Sequence, residues 1–198
     1  AFVHIHWDEK NHELIYEVHE PILNEDEKKV LEILEKGIEE LINISFIAIK
    51  SSDIAIKYLE KNMRVLLNEF RIKISEKSFM KLVYYIWRDF VGLNEIEPIM
   101  RDYYIEDIEC NGINTPVYIV HRKYRNIRTN IIYRDMKILG SFVEKLAQKS
   151  GKYISYATPL LDAALPDGSV DYNERFIYRE KGTVKISKIG EFVDRYYN

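Results

Sequence analysis

Cysteine is nearly missing from these 198 residues. Cys110 stands alone, so the chain can form no internal disulfide and no cysteine-rich zinc site, which fits a reducing compartment such as the cytosol. Long apolar runs are missing too, and without a stretch of about 18 apolar residues no segment reads as a membrane span. The opening AFVHIHWDEK lacks the basic-then-apolar order of a secretory signal. It also lacks an initiating Met, which points to a fragment or a trimmed chain. Basic excess is absent: 29 Lys and Arg against 32 Asp and Glu leave a net charge of −3, which argues against bulk nucleic-acid binding. Glutamine is reduced to Gln148, while Lys, Glu, Ile and Tyr are abundant. That is a hyperthermophile tendency, although a low-GC genome gives the same bias. What is present, 46% apolar and 31% charged residues, is enough for one or two domains with a buried core.

AFVHIHW and ELIYEVHE alternate apolar and polar residues around DEKNH, so residues 1–20 read as a β-hairpin. His4, His6, His12 and His19 raise the question of a metal. With His4 and His6 on one strand face but no carboxylate at a suggestive spacing, a solvated hairpin is the stronger reading. After Pro21, Asn24 is a good helix cap and Glu25, Asp26 and Glu27 suit the first turn. Val30, Ile33, Leu34, Ile38, Leu41 and Ile42 form its stripe, with Gly37 a weak point. The loop NISF leads to a second helix, from about Ser52 or Asp53 to Arg71, striped by Ile56, Leu59, Met63, Leu66, Leu67 and Phe70. A third, Glu76 to Val91, has Ser75 as cap, Gly92 as stop and Phe79, Leu82, Val83, Ile86, Trp87 and Phe90 as its apolar face. Short connections favour antiparallel neighbours, so residues 1–92 read as a hairpin plus a three-helix bundle.

A short helix with Pro98 in its first turn follows, and then the period changes to two. IEDIEC, PVYIVHR and IRTNIIY read as strands joined by turns at NG and KYRN. A helix from about Asp135 to Ser150, capped by Gly151, and a strand ISYA complete a mostly antiparallel sheet with one packed helix over residues 93–168. Asp107 and Glu109 flank Ile108. As a carboxylate pair they raise acid–base chemistry, but the solvent face of an alternating strand is the simpler reading. In HRKYRNIR, residues 121–128, Arg122, Lys123, Arg125 and Arg128 surround Tyr124. On a strand–turn–strand they make a compact positive patch able to hold phosphate through charge-assisted bonds. Spacing alone favours a solvated turn over that site, and nucleic acid is the weaker option.

Two stretches go further. IEDIECNGINTPVYIVHRKYRNIRTNIIY, followed by FVEKLAQKSGKYISYATPLLDAALPDGS, resembles the N-terminal domain of archaeal type II/IV secretion ATPases, the pilus- and archaellum-type motors. The likeness covers about residues 84–168 and is less specific at the amino terminus. It implies a cytoplasmic subunit of a hexameric ring, peripheral to the inner face of the membrane. Its implied partners are the ATPase C-terminal domain, neighbouring subunits and a membrane platform protein, with no nucleic acid and no span of its own. Arg122 and Arg125 become candidates for sensing nucleotide phosphate. The catalytic half is absent, since no G-x-x-x-x-G-K-[ST] occurs. Gly151-Lys152 has Leu146 where a glycine belongs and Tyr153 where Ser or Thr belongs. ATP and Mg²⁺ are therefore implied for the full-length protein only, with no cofactor and no metal expected in this chain, which should not hydrolyse ATP alone.

After Gly168 the resemblance stops in mid-motif. The family continues LPDG with Ser-Arg, whereas here Ser169 precedes Val170. Residues 169–198 hold two short strands, FIYRE and TVKISK, around a KG turn and then a helical start, IGEFVDRYY. They resemble the first segment of an archaeal intein, which opens on a nucleophile and carries a K-I-G-E-F-V-D run. Gly168 and Ser169 would be the splice junction, with Ser169, natural or replacing a cysteine, attacking the Gly168 carbonyl. The Thr-x-x-His block and terminal His-Asn are missing, so the chain cannot splice itself. The alternative is a divergent extra hairpin and helix of the host domain.

The sequence thus points to an α+β protein divided at 1–92, 93–168 and 169–198. Its leading reading is the regulatory and docking part of a secretion motor, interrupted by an intein segment. A stand-alone module that binds a membrane platform protein, or the N-half of a split-intein gene, are the alternatives.

Overall fold

The computed structural model describes residues 1–41, 52–152, 163–164, 175–180 and 183–188. It is an α+β structure whose chain divides into two compact units, residues 20–97 and residues 1–19 with 98–198.

The helical unit contains α1 (Glu25–Leu41), α2 (Ser52–Glu69) and α3 (Glu76–Phe90). Asn24 starts α1 as a capping box. Its side chain accepts from the Glu27 amide at 2.8 Å and the Glu27 carboxylate accepts from the Asn24 amide at 2.9 Å. The Asn24 amide and Lys81 together hold the Glu27 carboxyl down at about 2. Ser75 caps α3 by accepting from Ser78. Leu34, Ile38, Leu59, Met63, Phe79, Leu82 and Ile86 fill the core at 2% exposure or less. Ile33, Leu41 and Phe70, counted in the sequence stripes, lie outside that core and are exposed. Two glycines have steric reasons. A Cβ on Gly37 would meet Leu66 Cδ1 at 2.8 Å, and one on Gly92 would meet the Arg88 carbonyl at 2.8 Å and the Glu97 carboxylate at 2.9 Å. Gly92 therefore stops α3 by making room for close backbone and carboxylate contacts, not by a left-handed turn.

The buried charges Arg88 and Glu27 are paired within this unit. Arg88, 8% exposed, donates to both oxygens of Glu20 at 2.7 Å and to Asp89 at 2.6 and 2.9 Å. Lys81 donates to Glu27 and to the Ile22 carbonyl. A buried guanidinium held by two carboxylates satisfies the demand that a buried charge be paired.

The second unit is built on one sheet. β1 (Phe2–Asp8) and β2 (Glu13–His19) form the expected hairpin. Leaving the helical unit through a 3-10 turn (Asn94–Ile96), the chain passes by α4 (Glu97–Met100), with Pro98 in its first turn, to β3 (Ile105–Cys110), β4 (Pro116–His121) and β5 (Arg125–Ile132). Next come α5 (Met136–Lys149), β6 (Ala163–Ala164), β7 (Arg175–Glu180) and β8 (Thr183–Lys188). The strand order is β1-β2-β5-β4-β3-β8-β7-β6. All neighbours are antiparallel except β2 and β5, which run parallel at Ile15↔Arg128 and Tyr16↔Thr129. Asn130 prolongs that short ladder with its side chain, accepting from the Val18 amide at 2.9 Å and donating to the Val18 carbonyl at 3.0 Å. Asp135 caps α5, Gly151 closes it at φ +71°, and Phe142 of α5 stacks on Tyr133.

Two expectations change here. The sequence groups residues 1–19 with the helical bundle, but β2 hydrogen-bonds to β5, so the hairpin is part of the sheet and the helical unit begins at residue 20. Strand alternation puts Asp107 on a solvent face, yet it is 1% exposed. A register irregularity between Ile105 and Asp107 breaks the alternation and turns Asp107 inward. The hairpin expected from FIYRE and TVKISK is present as β7–β8, and β8 pairs with β3. The ISYA strand, the NISF loop, the IGEFVDRYY helix and the Gly168/Ser169 junction lie outside the described residues.

Candidate functional site

The basic turn expected from HRKYRNIR joins β4 to β5. His121 and Arg125 are paired across it, leaving Arg122, Lys123 and Tyr124 as the connection. Arg125 takes φ +62°, the left-handed conformation that helps a short hairpin reverse. Beneath the turn sits His121, 5% exposed, whose Nδ1 accepts from the Lys123 amide at 3.0 Å and the Tyr124 amide at 3.4 Å. An imidazole that accepts at Nδ1 must be unprotonated there. Burial pushes the His121 pKa below its usual value, in keeping with that role.

Of the rings around His121, Tyr124 is marked by the sequence but Tyr103 and Tyr104 are not. Tyr104 stacks on it with centroids 5.6 Å apart, and Tyr124 lies against it at 4.9 Å. Tyr103 packs edge-on against Tyr104. Tyr103, Tyr104 and Tyr124 all remain exposed, at 65%, 56% and 39%. The Arg122 guanidinium lies 4.3 Å above the Tyr103 ring, and Lys123 lies over Tyr124. Asp102 anchors the Tyr103–Tyr104 segment by accepting from the buried Tyr16 hydroxyl at 2.8 Å and from the Tyr104 amide at 2.9 Å. Burial and that carboxylate raise the Tyr16 pKa far above its usual range, so the phenol stays a donor. The adjacent pair Tyr103–Tyr104, placed just before a strand, is the sequence signal that could have found this platform.

The four cations of the turn separate into roles. Arg128 faces away to the hairpin, with Asp8 at 3.4 Å and Glu13 at 2.9 Å. Arg122 is partly committed, at 3.7 Å from Glu106 and stacked on Tyr103. Lys123 and Arg125 are exposed, and Arg125 has no carboxylate partner among the described residues. The structure thus brings Arg122 and Arg125 to the two ends of one turn. It leaves Arg125 as the more available cation for an anionic group. Burial raises the Cys110 thiol pKa, which disfavours its thiolate. Gly168 and Ser169 cannot be placed, since they are outside the described residues.

No protein-family model matches the chain. It is similar to three proteins of Methanocaldococcus jannaschii. It is 34% identical over 154 residues to the uncharacterized protein MJ1288, covering 78% of this chain and 61% of that one. It is 37% identical over 99 residues to the uncharacterized protein MJ0900, covering 50% of this chain and 18% of the relative. It is 37% identical over 79 residues to the uncharacterized protein MJ0781, covering 40% and 10%. The chain therefore spans about six-tenths of the first relative and under a fifth of the other two. No helix among the described residues is long and apolar enough to cross a membrane.

Proposed function

We propose that this chain is the non-catalytic, N-terminal regulatory and docking part of a hexameric secretion motor ATPase of the pilus or archaellum type. On this reading it works at the inner face of the membrane, beside a platform protein. ATP and Mg²⁺ are held by the catalytic half of the full-length protein, and the β4–β5 turn senses the nucleotide's phosphate charge. The observation that carries the reading is the order of motifs from IEDI through HRKY to LPDG, with the HRKY segment forming an exposed cationic turn. Two further features support it. A left-handed arginine costs about 1–2 kcal/mol relative to an ordinary conformation. Glycine would relieve that cost, so the turn carries its arginine at a strained position, as expected of a side chain with a role there. Similarity to segments of much longer archaeal proteins also suits a domain of a larger machine.

In the full-length protein, ATP-stimulated ring assembly should weaken in Arg125→Ala and, less strongly, in Arg122→Ala, whose guanidinium is already engaged by Glu106 and Tyr103. Assembly with unchanged nucleotide dependence in both variants removes the turn from the nucleotide site.

The tail carries two readings. The sequence break after Gly168 favours an intein segment starting at Ser169. The pairing of β8 with β3 favours a second reading, in which residues 169–198 continue the host domain's own sheet. Peptide mapping of the mature protein separates them. A tryptic peptide running from Tyr153 through Gly168-Ser169-Val170 to Arg175 contradicts excision, whereas Gly168 joined directly to Ser-Arg supports it.

A further inference from the structure

The turn and the motor reading leave the outer hairpin unused, and its histidines hold more than a solvated strand requires. β1 and β2 pair so that Phe2 faces His19, His4 faces Glu17 and His6 faces Ile15. Residues directly opposite in an antiparallel pair project to the same face. Phe2, His4 and His6 therefore run in one row on that face, beside His19, Glu17 and Ile15. Tyr16 and Val18, on the opposite face, are buried. The carboxylate that spacing along the sequence does not bring near the histidines is Glu17, set beside His4 by the hairpin register. Counting back from the DEKNH turn would have found it.

The ligand atoms of His4, Glu17 and His19 all lie within 4.8 Å of one another. His19 Nε2 is 3.3 Å from Glu17 Oε2. Zinc bonds of about 2.0–2.1 Å set two ligands of one tetrahedral ion about 3.3 Å apart, so this pair already has ligand spacing. The remaining approach, on the order of 1.5 Å, is within reach of side-chain rotation at half-exposed positions. The rings are also held in place: Phe2 stacks on His19 at 4.7 Å, and His6 stacks on His4 at 5.0 Å. His6 adds a second, independent sign. Its Nδ1 is buried with no hydrogen-bond partner and sits 3.7 Å from Glu17 Oε2. A nitrogen lone pair or N–H left idle beside a carboxylate is a cost that a bound ion's ligand shell would remove.

We propose that His4, Glu17 and His19 form a binding site for one divalent transition-metal ion of the zinc class, with His6 as a fourth ligand or as the hydrogen-bond partner of Glu17. Two imidazoles and a carboxylate suit zinc, nickel or copper and give little purchase to magnesium or calcium, which prefer all-oxygen shells. The site joins the two strands of the hairpin across their outer face and so ties the amino-terminal edge strand to the sheet. It stands independently of the motor reading.

The test is zinc titration of the tag-free, demetallated chain by calorimetry, with cobalt(II) as a spectroscopic probe. One zinc per chain is expected, and visible cobalt bands should report four-coordinate geometry. His4→Ala, Glu17→Gln and His19→Ala should each weaken zinc binding at least tenfold and bleach the cobalt bands, and His6→Ala should weaken it by about tenfold or more. His12→Ala, in the turn and outside the cluster, should leave affinity and spectrum unchanged. Circular dichroism of each variant checks that the fold persists. No saturable zinc binding, or binding that survives in the His4→Ala/His19→Ala double variant, overturns the site.

Discussion

The buried charges of the helical unit and the exposed cations of the sheet unit's turn stand in opposite surroundings. In the helical unit, Arg88 is buried between Glu20 and Asp89, and Lys81 closes on Glu27 and the Ile22 carbonyl. These groups are taken up by the fold. In the sheet unit, Arg125 and Lys123 stand exposed on a turn, Arg122 rests on an exposed tyrosine, and a histidine–glutamate cluster lines the outer face of the hairpin. Charges that are paired and buried maintain structure, and their removal shows as lost stability. Charges left half in water contribute little to stability and are free to meet a ligand. On the proposed reading, the groups that meet a ligand are the exposed cations and the histidine–glutamate cluster of the sheet unit.

The largest effect belongs to the buried cation. Arg88→Ala leaves Glu20 and Asp89 facing each other without their counter-ion and should destabilise the helical unit by about 3 kcal/mol, read by urea denaturation. A loss under about 1 kcal/mol would break the contrast between the units. A smaller effect is expected at His121, which is buried but serves the turn. His121→Ala removes the acceptor for two amides and should cost about 1–2 kcal/mol, whereas His121→Asn retains an acceptor and should cost less. The same bond sets a pH dependence. Because the His121 pKa is lowered on folding, its contribution is fully present above the ordinary histidine value near 6.5 and is lost as pH falls through the depressed folded value. Protection of the Lys123 and Tyr124 amides, taken relative to their intrinsic exchange rates at each pH, should fall over that range, and protection that stays constant would contradict the accepting role of Nδ1. The smallest change in stability, within about 0.5 kcal/mol, is expected for Arg125→Ala, since that side chain is exposed.

Much of this arrangement is legible in the sequence because it is local. Asn24 with Glu27, Ser75 with Ser78, Asp135 and Gly151 mark helix ends through contacts only a few residues apart. β3, β4 and β5 follow from alternation and from their turns. The pairing of β2 with β5 is not legible, because it joins residues 112 apart in the chain through an Asn130 side chain that no periodicity reveals. Asp107 escapes a sequence reading because a bulge shifts the pleat, which alternation assumes to be regular. The histidine cluster is half legible: the imidazoles can be seen, but Glu17 joins them only through the cross-strand register. At the turn the sequence supplies Arg122 and Arg125 but not the distinction between them, which comes from Glu106 and Tyr103 approaching one and not the other.

The claim that function rests on the uncommitted cations of the sheet unit is tested most directly by one measurement on the full-length protein. Nucleotide-stimulated ring assembly is compared between the wild type and Arg125→Ala at equal folded stability. The account predicts that the variant keeps its fold and loses most of its response to ATP. An unaltered response to ATP in a folded Arg125→Ala protein would contradict it.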